Sequence, residues 1–333
     1  MGTYHVDTWE RVPGARVVAV AEPEEETSRR VIGRRPIDWC PDWRALLERD
    51  DLDALDVCAP SGRHAVIGLA AVDAGLDLLV EKPVADTVPA ALRLSAAARS
   101  AGRVLMVGHV ERFNPAVAKV AELLGEGRLG AVYRAQATRV GPLPPRIRDA
   151  GVAIDLAIHD LDIMQHLLGR DVTSVYAEGA RFAHASHEDM LTCLLRFGAD
   201  GPFGLLDVNW LTPEKRRELT LLGEGGMLRA DYLTQDVWWV ESPTASTEWE
   251  ELARVRGDAE GAAVRFALHK VEPLRVELEC FRDCVLNGAT VPVTGWDGAR
   301  ALAAALAVRE SAAARRPIRL LSLPRTPAAP TSS

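Results

Sequence analysis

Two short stretches of the sequence combine residue types that can move a proton and hold an oxygen. In "GVAIDLAIHDLD", Asp155 and His159 are four residues apart, which places them on one face of the predicted helix. A carboxylate one turn from an imidazole fixes the tautomer of the ring, so His159 suits acid or base chemistry near neutral pH. The alternative is a histidine satisfied in the core or at a helix surface, which the motif in isolation favours.

The second stretch, "VEKPVADT", places Lys82 at the predicted carboxyl end of a strand, where open α/β sheets bind their ligands. An ammonium group there can hold a substrate hydroxyl and stabilise the alkoxide that develops as a hydride leaves. Pro83 restricts the backbone of Lys82 to extended conformations, which helps to aim the side chain. A solvated lysine before a turn is the alternative for this motif taken singly.

The elements that must position these residues change character near His109. Before it, short apolar runs alternate with helical patterns, which predicts parallel strands joined by helices. After it, strand-like runs follow one another without intervening helices, which predicts a largely antiparallel sheet. We therefore predict an α/β domain with a parallel sheet at residues 1–112, an α+β domain with a large, open, mostly antiparallel sheet at 113–322, and a disordered Pro/Ser-rich tail at 323–333.

The first residues match the end of a dinucleotide-binding fingerprint rather than its beginning. In Rossmann-type folds an acidic residue lies about 20 residues after the glycine-rich loop and binds ribose hydroxyls. Glu22 ends the predicted strand "ARVVAVAE", and Gly2, 20 residues earlier, takes the place of the last fingerprint glycine. The first strand and two glycines are therefore missing, and the strands beside that central position lack a partner. We expect an upstream coding segment of about 15 residues to supply them.

The predicted acid after the second strand also bears on the choice of cofactor. A carboxylate at Glu22 favours NAD, because it would repel the 2′-phosphate of NADP. The alternative is a surface acid that happens to follow a strand, and the spacing alone does not separate the two.

Composition excludes several classes of function. The net charge of -8 argues against a nucleic-acid partner, and no apolar run is long enough to cross a bilayer. The five cysteines lack CxxC spacing and fit reduced thiols in a cytoplasmic protein.

Asp160 and Asp162 follow His159, but "GVAIDLAIHDLD" holds a single histidine, so we predict no metal site. We expect His184 and His187 of "HASHED" to lie in a solvated loop.

A proline-stiffened segment, "RVGPLPPRIRD", carries Arg139, Arg146 and Arg148. Guanidinium groups suit bidentate binding of a diphosphate or a carboxylate. Arg112 lies at the predicted boundary between the domains, where binding pockets commonly form. Surface arginines that serve solubility are the alternative for this segment.

Together these segments resemble the Gfo/Idh/MocA family of sugar and inositol dehydrogenases over nearly the whole chain. The resemblance is carried, in family order, by "VAVAEP", "CAPSGRH", "VEKP", "VGHVERFNP" and "GVAIDLAIHDLD". It implies a Rossmann domain followed by a domain whose open sheet commonly mediates dimers or tetramers. We therefore expect an NAD-dependent homodimer or homotetramer with a small sugar as substrate. The missing fingerprint is the departure from the family pattern.

The resemblance also implies roles for individual residues. The family's catalytic set maps onto Lys82, Asp155 and His159: His159 takes the proton of the substrate hydroxyl, Asp155 supports the ring and Lys82 positions the oxygen. The cofactor-binding positions are matched by Gly2, Glu22, Ala59, Pro60, His64, Glu81 and His109.

Within the family, the chain is similar to the UDP-N-acetylglucosamine 3-dehydrogenase group, which oxidises the 3-hydroxyl of its sugar. The likeness lies in "RVGPLPPRIRD", "IDLAIHDLDIM" and "VNWLTPEKRRELTLLGEGGM". Arg112, Arg146 and Arg148 would then bind substrate, since a UDP-sugar carries a diphosphate. A dehydrogenase or ketoreductase of a free sugar, inositol or deoxysugar is the alternative. From another class, a non-catalytic sensor or partner-binding relative fits the incomplete fingerprint, but it has no need of the full proton-transfer set.

Overall fold

The alternation of strands and helices stops at Phe113, where the first of two structural units gives way to the second. The first unit consists mainly of Met1–Phe113 and Val271–Ala303, and the second of Asn114–Lys270 and Ala304–Ser322. The computed structural model describes residues 1–143, 150–242 and 261–323. The return of the chain to the first unit after Lys270 has no counterpart in the boundaries expected from sequence. All but the first residue of the predicted tail lies outside the described residues.

The first unit is built from parallel strands and the helices between them. Its strands are β1 (Ala19–Ala21), β2 (Asp38–Cys40), β3 (Ala54–Val57), β4 (Asp77–Glu81) and β5 (Leu105–Gly108). Its helices are α1 (Gly2–Trp9), α2 (Glu25–Ile32), α3 (Ser61–Asp73), α4 (Val88–Ser100) and, from the later segment, α7 (Pro273–Asn287).

The parallel strands of the first unit form two separate sheets. One pairs β1 with β2, and the other has the order β3-β4-β5. Strand β4 is the middle of the larger sheet, and Leu78, Leu79 and Val80 within it are fully buried. Such continuous burial is typical of a parallel strand covered on both faces.

Helix α7 packs on α1 in the first unit. The rings of Trp9 and Phe281 meet edge to face with centroids 6.4 Å apart, a favoured aromatic geometry. Nη1 of Arg282 donates a hydrogen bond to the carbonyl of Pro13 at 2.9 Å. These contacts attach α1 to an element more than 260 residues later in the chain.

Among its described residues, the second unit holds a nine-stranded sheet with helices packed on it. The strands are β6 (Val132–Val140), β7 (Ser174–Ala180), β8 (Met190–Arg196), β9 (Phe203–Asn209), β10 (Arg216–Gly223), β11 (Gly226–Asp231), β12 (Asp236–Glu241), β13 (Ala263–Phe266) and β14 (Ile318–Arg319). Their order is β13-β12-β11-β10-β6-β9-β8-β7-β14, and every neighbouring pair except β6 and β9 is antiparallel. Helices α5 (Pro115–Gly125) and α6 (Ile158–Leu168) pack on the sheet.

The architecture confirms the predicted fold class, a parallel Rossmann-type sheet followed by a large, mostly antiparallel sheet. One further helix, α8 (Gly295–Ala314), begins in the first unit and ends in the second. Within the described ranges, no helix has the length and apolar character that a membrane crossing requires.

Candidate active site

The predicted cofactor residues of the first unit follow the carboxyl ends of its strands. Glu22 comes directly after β1, Ala59 and Pro60 follow β3, Glu81 ends β4, and His109 follows β5. This is the edge at which open α/β folds bind their ligands. Gly2 begins α1, so the first amide groups of that helix lie at Gly2 and Thr3.

His64 connects two of these strand ends. It is buried on α3, where Nδ1 lies 2.7 Å from the Pro83 carbonyl oxygen and Nε2 lies 2.6 Å from the Ala59 carbonyl oxygen. The ring therefore fixes the segment after β3 relative to the segment after β4. The Lys82–Pro83 peptide bond at this position is cis.

Glu81 is held by residues that the sequence did not single out. Nε2 of the buried His5 lies 3.1 Å from Glu81 Oε1, and Nδ1 of the same ring lies 2.8 Å from Asp56 Oδ2. Glu81 Oε2 in turn accepts the backbone N–H of Lys82 at 3.1 Å. Periodicity gave no signal for this cluster, because its members come from three elements that are distant in sequence.

These positions fit the predicted dinucleotide. The N-terminus of α1 at Gly2 offers backbone amides and a helix dipole to a phosphate. Glu22 is partly exposed, and its carboxylate is accessible to ribose hydroxyls while Oε1 accepts the N–H of Glu24 at 3.1 Å. Lys82 is also partly exposed at the end of β4.

In the second unit, Asp155 and His159 lie on consecutive turns of different helical type. Residues Ala153–Ala157 form a π-helical turn, and α6 begins directly after it at Ile158. The sequence predicts one continuous α-helix here. π-Helical turns are rare in proteins, and many of those that are found lie at functional sites. Asp155 and His159 are both only partly buried, in contrast to Ala157 and Ile158 between them.

Glu188 caps the helical segment that carries both residues. Its Oε1 accepts the N–H of Ala153 at 3.2 Å, and its carbonyl accepts the N–H of Val152 at 3.1 Å. A Cβ atom at Gly151 would lie only 2.1 Å from Glu188 Oε1, so glycine leaves room for this carboxylate. Glu188 gave no signal in the sequence, since its capping role depends on a loop from another part of the sheet.

The "HASHED" loop is organised by its own polar groups. The buried Asp189 carboxylate accepts the N–H groups of Phe182, Ala183 and His184. Burial opposes the charged form of Asp189, but these hydrogen bonds hold its pKa below the usual value. His184 Nδ1 accepts the N–H of His187 at 3.0 Å, so this histidine orders the loop.

Arg139 does not lie open to a ligand, in contrast to the interpretation from its segment. It is 1 % exposed, and its Nε and Nη2 donate to Asp160 at 2.6 and 3.2 Å. The alternating pattern of β6 directs the Arg139 side chain to the buried face, where a carboxylate satisfies it.

Arg112 is in the first unit and contacts Asp297 Oδ1 at 3.6 Å and the Pro292 carbonyl oxygen at 3.3 Å. Arg146 and Arg148 lie outside the described residues.

Two family models match successive parts of the chain. Residues 1–109 match the model described as "Oxidoreductase family, NAD-binding Rossmann fold", and residues 117–229 match the model described as "GFO/IDH/MocA C-terminal domain". Together they cover the strand ends of the first unit and the helical segment that carries Asp155 and His159.

Two relatives match this chain over nearly its full length. A scyllo-inositol 2-dehydrogenase (NAD(+)) of Bacillus subtilis is 26% identical over 337 residues, which cover 96% of this chain and 93% of that protein. A UDP-N-acetylglucosamine 3-dehydrogenase of Acidithiobacillus ferrooxidans is 27% identical over 309 residues, 93% of each chain.

Solved structures share the same fold. The structure of the Acidithiobacillus ferrooxidans enzyme is similar with a TM-score of 0.82 and 26% identity, over 94% of both chains. An oxidoreductase domain protein from Kribbella flavida has a TM-score of 0.84 at 23% identity, over 97% of this chain and 96% of that one.

Proposed function

Because the chain belongs to the GFO/IDH/MocA family of NAD-binding oxidoreductases, we propose that it oxidises a secondary hydroxyl of a sugar or cyclic polyol to a ketone. Bound NAD⁺ supplies the hydride acceptor for this chemistry. The hydroxyl carbon loses a hydride, and the hydroxyl oxygen loses its proton to a base of the protein.

Lys82 is the residue that we propose to hold the substrate oxygen. The observation that carries the proposal is its position directly after β4, with its backbone N–H bonded to Glu81 and the next residue fixed by His64. An ammonium group aimed at the oxygen stabilises the negative charge that develops there as the C–H bond breaks. Lys82 is the sole lysine among the described residues of the first unit.

His159 is the proposed base, and Asp155 is the proposed support of its charged form. Both are partly exposed on the helical segment that begins at the Glu188 cap. His159 accepts the hydroxyl proton and becomes an imidazolium, and a carboxylate one turn away stabilises that charge. The neighbouring Asp160 forms an ion pair with Arg139, which fixes the position of α6 against β6.

For the substrate itself, we propose the 3-hydroxyl of UDP-N-acetylglucosamine or of a related nucleotide sugar. A relative that matches 93% of this chain bears the name UDP-N-acetylglucosamine 3-dehydrogenase. The segment with Arg146 and Arg148 also suits a diphosphate. Inositols are the second candidate, because the inositol dehydrogenase of Bacillus subtilis is equally similar.

A homo-oligomer is also proposed, on the basis of the outward face of the nine-stranded sheet. Leu194 on β8 and Leu222 on β10 are 50% and 36% exposed, and both alternate with fully buried neighbours. Exposed apolar side chains on a sheet face favour association with another surface. Light scattering on the purified chain measures the number of subunits.

The test is a panel of substrates with a matched pair of lysine variants. NADH formation is measured with UDP-N-acetylglucosamine, N-acetylglucosamine, myo-inositol and scyllo-inositol. We expect turnover with the first of these and a fall of about 100-fold in Lys82→Met. Lys270→Met, which removes a surface partner of Asp236, serves as the control and should keep full turnover.

The outcomes separate the reaction from the substrate. Turnover of an inositol but not of the nucleotide sugar would retain the reaction and replace the substrate. Full activity of Lys82→Met would remove this lysine from the mechanism. A chain that binds NADH but oxidises none of the four compounds would contradict the proposed substrate class.

A further inference from the structure

A continuous path of hydrogen bonds leads from α1 to the backbone of Lys82. We propose that His5 is a positioning residue for Lys82, because its ring joins Asp56 to Glu81 and Glu81 accepts the Lys82 backbone N–H. The inference rests on the proposed function, in which Lys82 contacts the substrate. All of the residues in this path belong to the first structural unit.

His5 lies at the centre of the path. Its side chain is 2 % exposed, and its two ring nitrogens contact two different carboxylates, Asp56 at 2.8 Å and Glu81 at 3.1 Å. Trp9, one turn later on α1, donates Nε1–H to the same Asp56 oxygen at 2.8 Å. The helix is thus fastened to the end of β3 and the end of β4 at once.

Glu81 transmits the position of His5 to Lys82. One of its oxygens faces the ring and the other accepts the Lys82 N–H, so neither oxygen turns without breaking a contact. Gly108 on β5 closes the other side, since a Cβ there would lie 3.0 Å from Glu81 Oε1 and 3.1 Å from Glu81 Cα. The carboxylate is therefore confined between a ring and a strand.

The charges around His5 favour a doubly protonated ring. Burial by itself lowers the pKa of His5, but the Asp56 carboxylate and the hydrogen bonds to Asp56, Cys58 and Glu81 raise it overall. Burial likewise opposes the charged form of Asp56, yet His5 holds the pKa of that carboxyl below its usual value. With both nitrogens protonated, the ring donates to Asp56 and Glu81 together.

Two further titratable groups close to His5 hold their protons more strongly than usual. Burial, with Asp56 nearby, raises the pKa of the Cys58 thiol to about 12. Burial also raises the pKa of Glu277 on α7 well above its usual value, with Glu81 and Asp56 contributing in the same direction. The proton on His5 is thus the positive charge that offsets Asp56 and Glu81.

The same cluster meets the distance requirement for a metal ion, but its protonation favours the hydrogen-bonded form. A ring nitrogen of His5, a carboxylate oxygen of Asp56 and Cys58 Sγ lie within 4.8 Å of one another. A cation would need a free ring nitrogen and a thiolate. In the structure both ring nitrogens contact carboxylates, and Cys58 Sγ donates to Asp56 Oδ1 at 3.6 Å. Burial raises the pKa of the Cys58 thiol to about 12, which disfavours the thiolate.

Selective labelling offers a direct readout of the path. The chain contains four lysines, so ¹⁵N-lysine gives four backbone amide signals, and each is assigned by a Lys→Arg substitution. We expect His5→Gln to shift the Lys82 amide signal and to leave those of Lys119, Lys215 and Lys270 in place. Tyr4→Ala, at an exposed position of α1, is the matched control and should shift none of them. An unmoved Lys82 signal in His5→Gln would overturn the proposal.

A double-mutant cycle then tests whether the path affects catalysis. We expect kcat to fall by up to about 100-fold in His5→Gln, with the KM for substrate, the NADH affinity and the urea midpoint nearly unchanged. In the Lys82→Met background, His5→Gln should lower kcat little further, because His5 acts through the lysine that is already absent. Additive losses in kcat would overturn the positioning role while leaving Lys82 in the mechanism.

Two further outcomes keep the proposals distinct. A shifted Lys82 amide together with full activity of Lys82→Met would retain the hydrogen-bonded path and reject the proposed role of the lysine. One equivalent of zinc in the purified wild-type protein, lost in His5→Gln, would show that a metal rather than a proton joins these side chains.

Discussion

Arg139 and Asp160 form a bidentate ion pair with both side chains buried, Nε–Oδ2 at 2.6 Å and Nη2–Oδ1 at 3.2 Å. The pair connects β6 to α6, and Asp160 directly follows His159. The attraction within such a pair offsets much of the cost of burying the guanidinium, whereas a buried guanidinium left without its carboxylate is strongly unfavourable. The pair therefore fixes the helix that carries the proposed base.

We expect Asp160→Ala to lower the free energy of unfolding by about 3–5 kcal/mol, since Arg139 then remains charged and buried. Urea unfolding followed by circular dichroism measures the loss. Asp200→Ala, at an exposed acidic position between β8 and β9, serves as a comparison. A loss below about 1 kcal/mol would mean that Arg139 reaches water or another partner.

His159→Ala should lower turnover by about 100-fold or more, because loss of a general base usually has an effect of that size. The affinity for NADH should stay nearly unchanged, because the substitution lies in the second unit and not at the strand ends of the first. Steady-state kinetics and NADH fluorescence titration measure the two quantities. The control is His166→Ala, at an exposed position later on α6. Unchanged turnover in His159→Ala would exclude this histidine as the base.

Glu22→Ser should relax discrimination against NADP. The carboxylate follows β1 and is partly exposed, and its removal takes away the repulsion of a 2′-phosphate. The ratio of kcat/KM for NAD to that for NADP measures the effect. Glu25→Ser on α2, where the carboxylate pairs with Arg29, should keep the wild-type ratio. If Glu22→Ser also keeps that ratio, Glu22 does not contact the ribose.

Glu277 should give the folded protein a pH dependence of defined sign. Its carboxyl oxygens have no hydrogen-bond partner among the described residues, and burial raises its pKa well above 4.5. The folded chain thus retains a proton that the unfolded chain releases. The free energy of unfolding through this group therefore falls as pH rises above about 4.5, by at most about 1.4 kcal/mol per pH unit.

Glu277→Gln should remove that slope, because an amide stays neutral at every pH. Urea midpoints between about pH 5 and pH 8 measure the dependence in both proteins. Glu279→Gln on the same helix removes a pair with Arg275 and should preserve the wild-type slope. Parallel pH profiles for wild type and Glu277→Gln would show that Glu277 is ionised in the folded state.

Several local features could be predicted from the sequence because they depend on neighbours in the chain. The helix that carries His159 ends at Gly169, where a φ of 59° suits a glycine after the last helical turn. The strand before Lys82 ends at Glu81. The π-helical turn at Ala153–Ala157 was not predicted, since the spacing of apolar residues does not distinguish it from an α-helix.

The sequence by itself determined the fold class, the family and the elements that carry Lys82 and His159. Alternating and helical periodicities record which faces are buried, and that information is local. Only the tertiary structure decided that Arg139 pairs with Asp160, that Glu188 caps a distant helix, and that His5 contacts Glu81, 76 residues later. Such partners are set by how separate elements pack and in what register, and no short stretch of sequence contains that information.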